Sequence, residues 1–79
     1  MNDFSIINFS LENLAQVKLR VYNAFGNLRR TLLKSPLNSG KHQLTWNGKD
    51  DLGNEVASGI YFVILTDGSS VSAIKVFKK

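Results

Sequence analysis

Apolar residues recur at every second position along much of this chain, and nowhere do helix formers line up at helical spacing for more than about a turn. From Gln16 to Asn23, Val17, Leu19 and Val21 alternate with Lys18, Arg20 and Tyr22. A period of two places the first set on one face of a strand and the second set on the other. A helix built on this pattern would bury no continuous stripe, so the chain is predicted to be all-β.

The same reading extends along the sequence. A first strand is expected from Phe4 to Leu11, a turn at Glu12-Asn13-Leu14, and the strand Gln16 to Asn23. Phe25-Gly26-Asn27 reverses the chain, because Gly26 has no Cβ to clash at positive φ. Leu28 to Leu33 returns as the hairpin partner, and Lys34 to Ser39 reads as a polar loop. Gly40 to Asn47 follows as a strand with His42, Leu44 and Trp46 on one face. The run from Asn47 to Asn54 is glycine-rich and polar, and is a loop. Gly59 to Thr66 is apolar on both faces, which predicts a central strand. Asp67-Gly68 is a hairpin signal, and Ser70 to Phe77 closes the sheet.

Six strands, or seven with a short pairing at Val56, predict a small immunoglobulin-like or fibronectin-like antiparallel β-sandwich in which residues 1–79 form one domain. Trp46 is expected at its centre. Tyr61, just after Ser58-Gly59, stands where a tyrosine corner belongs. The last hairpin finishes in a lysine-rich tip, which suits a handle or address label better than a reaction centre.

Composition narrows the function. A chain of 79 residues has little surface to spare for a catalytic cavity. With 43% hydrophobic and 20% charged residues it should fold, and without cysteine it must do so by packing alone, with neither disulfide nor thiolate metal site. No apolar stretch approaches the roughly 20 residues that cross a bilayer. No signal-peptide pattern opens the chain, so a domain of this kind working outside the cell is expected to derive its export signal from a larger precursor. The net charge of +4 permits anionic partners, yet the cations fall on separate segments without an aromatic stripe between them, so no nucleic acid is expected.

Catalytic chemistry finds little footing. The single histidine, His42, shares a face with Leu44 and Trp46 and lacks triad partners, which makes it structural. Asp50, Asp51 and Glu55 cluster in a glycine-bearing loop of the kind that can hold Ca²⁺. Aligning Gly53 with the sixth position of an EF-hand loop puts Gly48 first and Leu52 fifth, so two ligand positions fail, and Asx-turns account for the acids. No metal, no cofactor and no enzymatic activity are expected.

Three blocks resemble a known family. Val17-Lys18-Leu19-Arg20-Val21-Tyr22-Asn23, continuing through Gly26 to Arg30-Thr31-Leu32, resembles the first signature of C-terminal sorting domains (type A) of the type IX secretion system. Ser39-Gly40-Lys41-His42 through Trp46-Asn47-Gly48-Lys49-Asp50 resembles the second, with Asn47 where the family often has Asp. Ala57-Ser58-Gly59-Ile60-Tyr61-Phe62 with the terminal Lys75-Val76-Phe77-Lys78-Lys79 resembles the third, the aromatic Phe77 departing from the commoner aliphatic finish. The middle block is also similar to the immunoglobulin-like domain of the flagellar hook-capping protein.

The resemblance implies a β-sandwich at the C-terminus of a larger secreted protein of Bacteroidetes-type bacteria, routed through the periplasm to the medium or the cell surface. Its implied partners are the upstream cargo, the outer-membrane translocon and a sortase-like peptidase that removes the domain. The implied recognition residues are Gly59, Ile60, Tyr61, Lys75, Val76, Phe77, Lys78 and Lys79, in a hairpin suited to β-augmentation. The alternatives are a structural immunoglobulin-like assembly module of a hook cap or extracellular protein, and a carbohydrate-binding module for which Tyr22 and Phe25 are the only aromatic candidates.

Overall fold

The computed structural model describes residues 5–79, so the expected start of the first strand at Phe4 lies outside the described residues. Six strands follow in order: β1 (Ser5–Leu11), β2 (Ala15–Asn23), β3 (Leu28–Leu37), β4 (Gly40–Trp46), β5 (Gly59–Thr66) and β6 (Val71–Lys78). They form two antiparallel sheets, one of β1 and β4 and the other in the order β3-β2-β5-β6.

The core lies between the sheets, and period-two alternation builds it. Ile7, Phe9 and Leu11 of β1 meet Val17, Leu19 and Val21 of β2 and Val63 of β5, with Trp46 buried among them. Trp46 is held at two points. Its indole Nε1 donates to Lys49 O at 2.9 Å, and its ring meets Tyr61 edge-on at 5.3 Å. The Tyr61 hydroxyl donates to Ala57 O at 2.6 Å, which is the tyrosine-corner bond expected from its position. β5 is central, between β2 and β6, as its apolar character predicts.

Three details differ from the sequence reading. β3 continues through Lys34–Leu37, where the sequence reads as a polar loop, and pairs with β2 as far as Ala15↔Leu37. Pro36 is tolerated there because β3 is an edge strand, with no ladder among the described residues on its outer side for the missing N–H to serve. The short pairing near Val56 is an isolated bridge, Lys49↔Glu55, and not a seventh strand. The first hairpin turn owes as much to Asn23 as to Gly26: Gly26 has φ +85, while Asn23 Oδ1 accepts from the N–H groups of Phe25 at 3.0 Å and Asn27 at 2.9 Å.

Candidate functional site

Strand pairing brings together two motifs that lie apart in sequence. Gly59, Ile60, Tyr61 and Phe62 stand opposite Lys78, Phe77, Val76 and Lys75 respectively, so the Gly-Ile-Tyr run and the lysine-rich tip make one end of the β5–β6 hairpin. Their side chains then part. Tyr61 and Val76 turn into the core, whereas Ile60, Lys75 and Phe77 turn outward, Phe77 being 68% exposed. Lys79 lies just past the strand and is exposed.

Lys78 differs from Lys75 and Lys79, both of which are exposed. It is only 8% exposed, because alternation points it to the core side with Ile74 and Val76. Its Nζ donates to Lys79 O at 3.4 Å.

The far end of the hairpin is fixed by Asp67. Its carboxylate accepts from the N–H groups of Ser69 at 3.0 Å and Ser70 at 2.8 Å and from the Ser70 hydroxyl at 3.1 Å. These bonds, the Ser69 backbone first, hold the carboxyl below its ordinary pKa. The stabilisation is therefore present above the unfolded pKa and lost as the pH falls through the lower folded value. Urea unfolding of the protein and of Asp67→Ala should show a gap at neutral pH that closes below about pH 4. A gap that persists or widens in acid would contradict this.

The two edges of the four-stranded sheet are unequal. At β3, the loop from β4 to β5 folds over: Asp51 N–H donates to Arg29 O at 3.1 Å, and Asp51 Oδ1 accepts from Thr31 N–H at 3.1 Å. Asp51 thus occupies edge groups that would otherwise invite a foreign strand. At β6 no strand lies on the outer side among the described residues. The bond from Asp67 N–H to Ser70 O fixes the ladder phase. Antiparallel alternation then turns the backbone groups of Val71, Ala73, Lys75 and Phe77 away from β5.

The acidic loop is structural in its contacts. Asp50 Oδ1 accepts from Leu52 and Asn54 N–H, both at 3.0 Å, an Asx-turn that closes the loop. No cluster of three metal-ligating side chains occurs among the described residues. Asn47 Oδ1 accepts from Lys49 N–H at 3.2 Å and Arg30 Nη1 at 3.4 Å, so Asn serves this turn as Asp would. His42 stacks on Phe9 at 5.3 Å and bonds Asn38 O through Nε2 at 2.7 Å, a packed structural position.

The family model of the FlgD Ig-like domain matches residues 5–70, which takes in β1 to β5 and the final turn. The chain belongs to the FlgD Ig-like domain family. Among solved structures, FlgD from P. aeruginosa superposes on this FlgD Ig-like domain with a TM-score of 0.73 at 22% identity, a likeness of fold. The match covers 95% of this chain and 60% of the P. aeruginosa chain, so this domain spans under two thirds of that protein's length. No curated protein matches the chain.

Two features of the site escape sequence reasoning. Asp51 shields β3 from a distance of 20 residues, and its adjacency to Asp50 gives no hint that the two serve different bonds. Tyr22 and Phe25, the aromatic pair weighed for carbohydrate, do not form one platform. Tyr22 lies on the sheet's outer face, while Phe25, 88% exposed, lines a shallow depression of about 190 Å³ with Ile60 and Tyr61.

Proposed function

We propose that this FlgD Ig-like domain is a non-catalytic assembly module that binds other protein through its open sheet edge, as a unit of a hook-cap or other extracellular structure. The observation that carries this is the contrast between edges: β3 is shielded by Asp51, and β6 has four residues whose backbone groups face outward. Family membership supports it. A strand added at β6 would gain main-chain hydrogen bonds for affinity and read the neighbouring side chains for specificity.

A second reading, a type IX sorting domain, has its own observation in favour. The Gly59-Ile60-Tyr61 run and Lys75–Lys79, the implied recognition residues, pair across one hairpin end and make a compact epitope. On this reading the partners are an outer-membrane translocon and a sortase-like peptidase, and the destination is the cell surface or the medium.

One substitution and one fusion separate the readings. Ala73→Pro removes an outward N–H from β6 without touching the β5 ladder, so it should leave the melting temperature within a few degrees and abolish association of the parent polypeptide, measured by sedimentation. Unchanged association would remove the edge from the assembly reading. In a bacterium with an active type IX system, a periplasm-targeted fluorescent protein fused ahead of the domain should remain in the periplasm. Export that is lost on deleting Lys75–Lys79 would establish the sorting reading instead.

A further inference from the structure

The outer face of the four-stranded sheet is apolar and cationic, and nothing among the described residues covers it. With Val17, Leu19, Val21, Tyr61 and Val63 buried, alternation turns Lys18, Arg20 and Tyr22 of β2 and Ile60, Phe62 and Ile64 of β5 outward. Register aligns them in rows with β6: Tyr22-Phe62-Lys75, Arg20-Ile64-Ala73 and Lys18-Thr66-Val71, with Ile60 beside Phe77 at the end. Val71 is 70% exposed, and Phe77 almost as much. A β5 apolar on both faces suits a strand covered on both sides, yet among the described residues only its inner face meets a second layer.

We infer that this face docks an amphipathic acidic segment of another protein, its apolar side chains seated on Phe62, Ile64, Val71 and Phe77 and its carboxylates on Lys18, Arg20 and Lys75. Charge selects this occupant. None of the four strands contains Asp or Glu, so among the described residues the strands themselves give this face cations and no anion, the carboxylate of Asp51 being bound at the β3 edge. Arg20 Nε is buried without an acceptor among the described residues, so the guanidinium at the middle row is not engaged through that nitrogen. Its other N–H groups can take a carboxylate in charge-assisted bonds. A second copy laid on the same face would set Lys18, Arg20 and Lys75 against their own kind, which disfavours self-association there. A nucleic acid or anionic lipid surface would satisfy the cations but leave Ile64, Val71 and Phe77 without apolar partners. The face adjoins the β6 edge, since Val71, Lys75 and Phe77 give side chains to the one and backbone groups to the other, but docking here uses the side chains, and the inference holds whichever of the two functional readings is correct.

The test titrates the isotope-labelled protein with a synthetic amphipathic peptide carrying Leu and Phe on one side and Glu on the other, and with the same peptide bearing Lys for Glu. The acidic peptide should shift amide signals of β2, β5 and β6 and leave β1 and β4 unmoved. Its affinity should fall as salt rises. Lys75→Glu and Phe77→Ser, each with the native spectrum retained, should each weaken it roughly tenfold, the loss expected of one important contact. Lys41→Glu, on β4, should change nothing. The inference is overturned by absence of binding, by equal binding of the Lys peptide, or by shifts centred on β1 and β4. It is also overturned if oligothymidylate or phosphatidylglycerol vesicles displace the acidic peptide, or if the protein forms a dimer that Phe77→Ser dissociates.

Discussion

Replacing Trp46 with Ala should lower the free energy of unfolding by about 3–5 kcal/mol, as measured by urea denaturation at neutral pH. Small domains have roughly 5–15 kcal/mol in all, and a chain of this length belongs toward the bottom of that range. The variant should therefore be marginally folded at best. Three losses coincide at this residue. The indole is fully buried between the sheets, its edge-on contact with Tyr61 disappears, and Lys49 O loses the Nε1–H donor at 2.9 Å. The last of these ties the core to the loop that carries Asp50 and Asp51, so truncation should also loosen the shield over β3. Trp46→Phe, which keeps a ring but no donor, should fall between the native protein and Trp46→Ala. If Trp46→Ala costs less than about 1 kcal/mol, the residue does not fill the centre as described.

The dependence on Trp46 is legible in the sequence, and the reason is geometric. In a strand, a side chain's face follows from its parity, so Trp46 with Leu44, and Val17 with Leu19 and Val21, can be assigned to the inner face without knowledge of the pairing. Tyr61 is legible too, because a corner bond needs only a short stretch of chain, here Ala57 to Tyr61. What parity cannot give is which strands lie side by side. The row Tyr22-Phe62-Lys75 draws on three strands, so cations and aromatics that look dispersed along the chain gather on one face. The shield over β3 is a contact between Asp51 and Arg29 and Thr31, made by a loop with no period at all. Lys78 shows the limit of composition: a terminal lysine reads as solvated, but its parity with Val76 and Ile74 sends it inward.

Gly59 offers the sharpest separation of a structural role from a recognition role. Its φ is +146, a region open to glycine and costly for an L-residue, yet a Cβ placed there meets nothing within 4 Å. The demand is therefore on the backbone alone. Gly59→Ala should cost about 1–3 kcal/mol through strain, with no contribution from crowding. Asn should not rescue it, since the left-handed helical region that Asn tolerates lies at much lower φ. D-alanine has the mirror preference, and a chain of 79 residues is within reach of chemical ligation. With D-alanine in place of Gly59 the protein should match the native one in urea, whereas with L-alanine it should not. Because both enantiomers add the same methyl group, a partner that reads the bare backbone at Gly59 would reject both, and a partner that needs only the hairpin's shape would accept the D-form. Equal destabilisation by the two would show that φ is not the constraint that Gly59 satisfies.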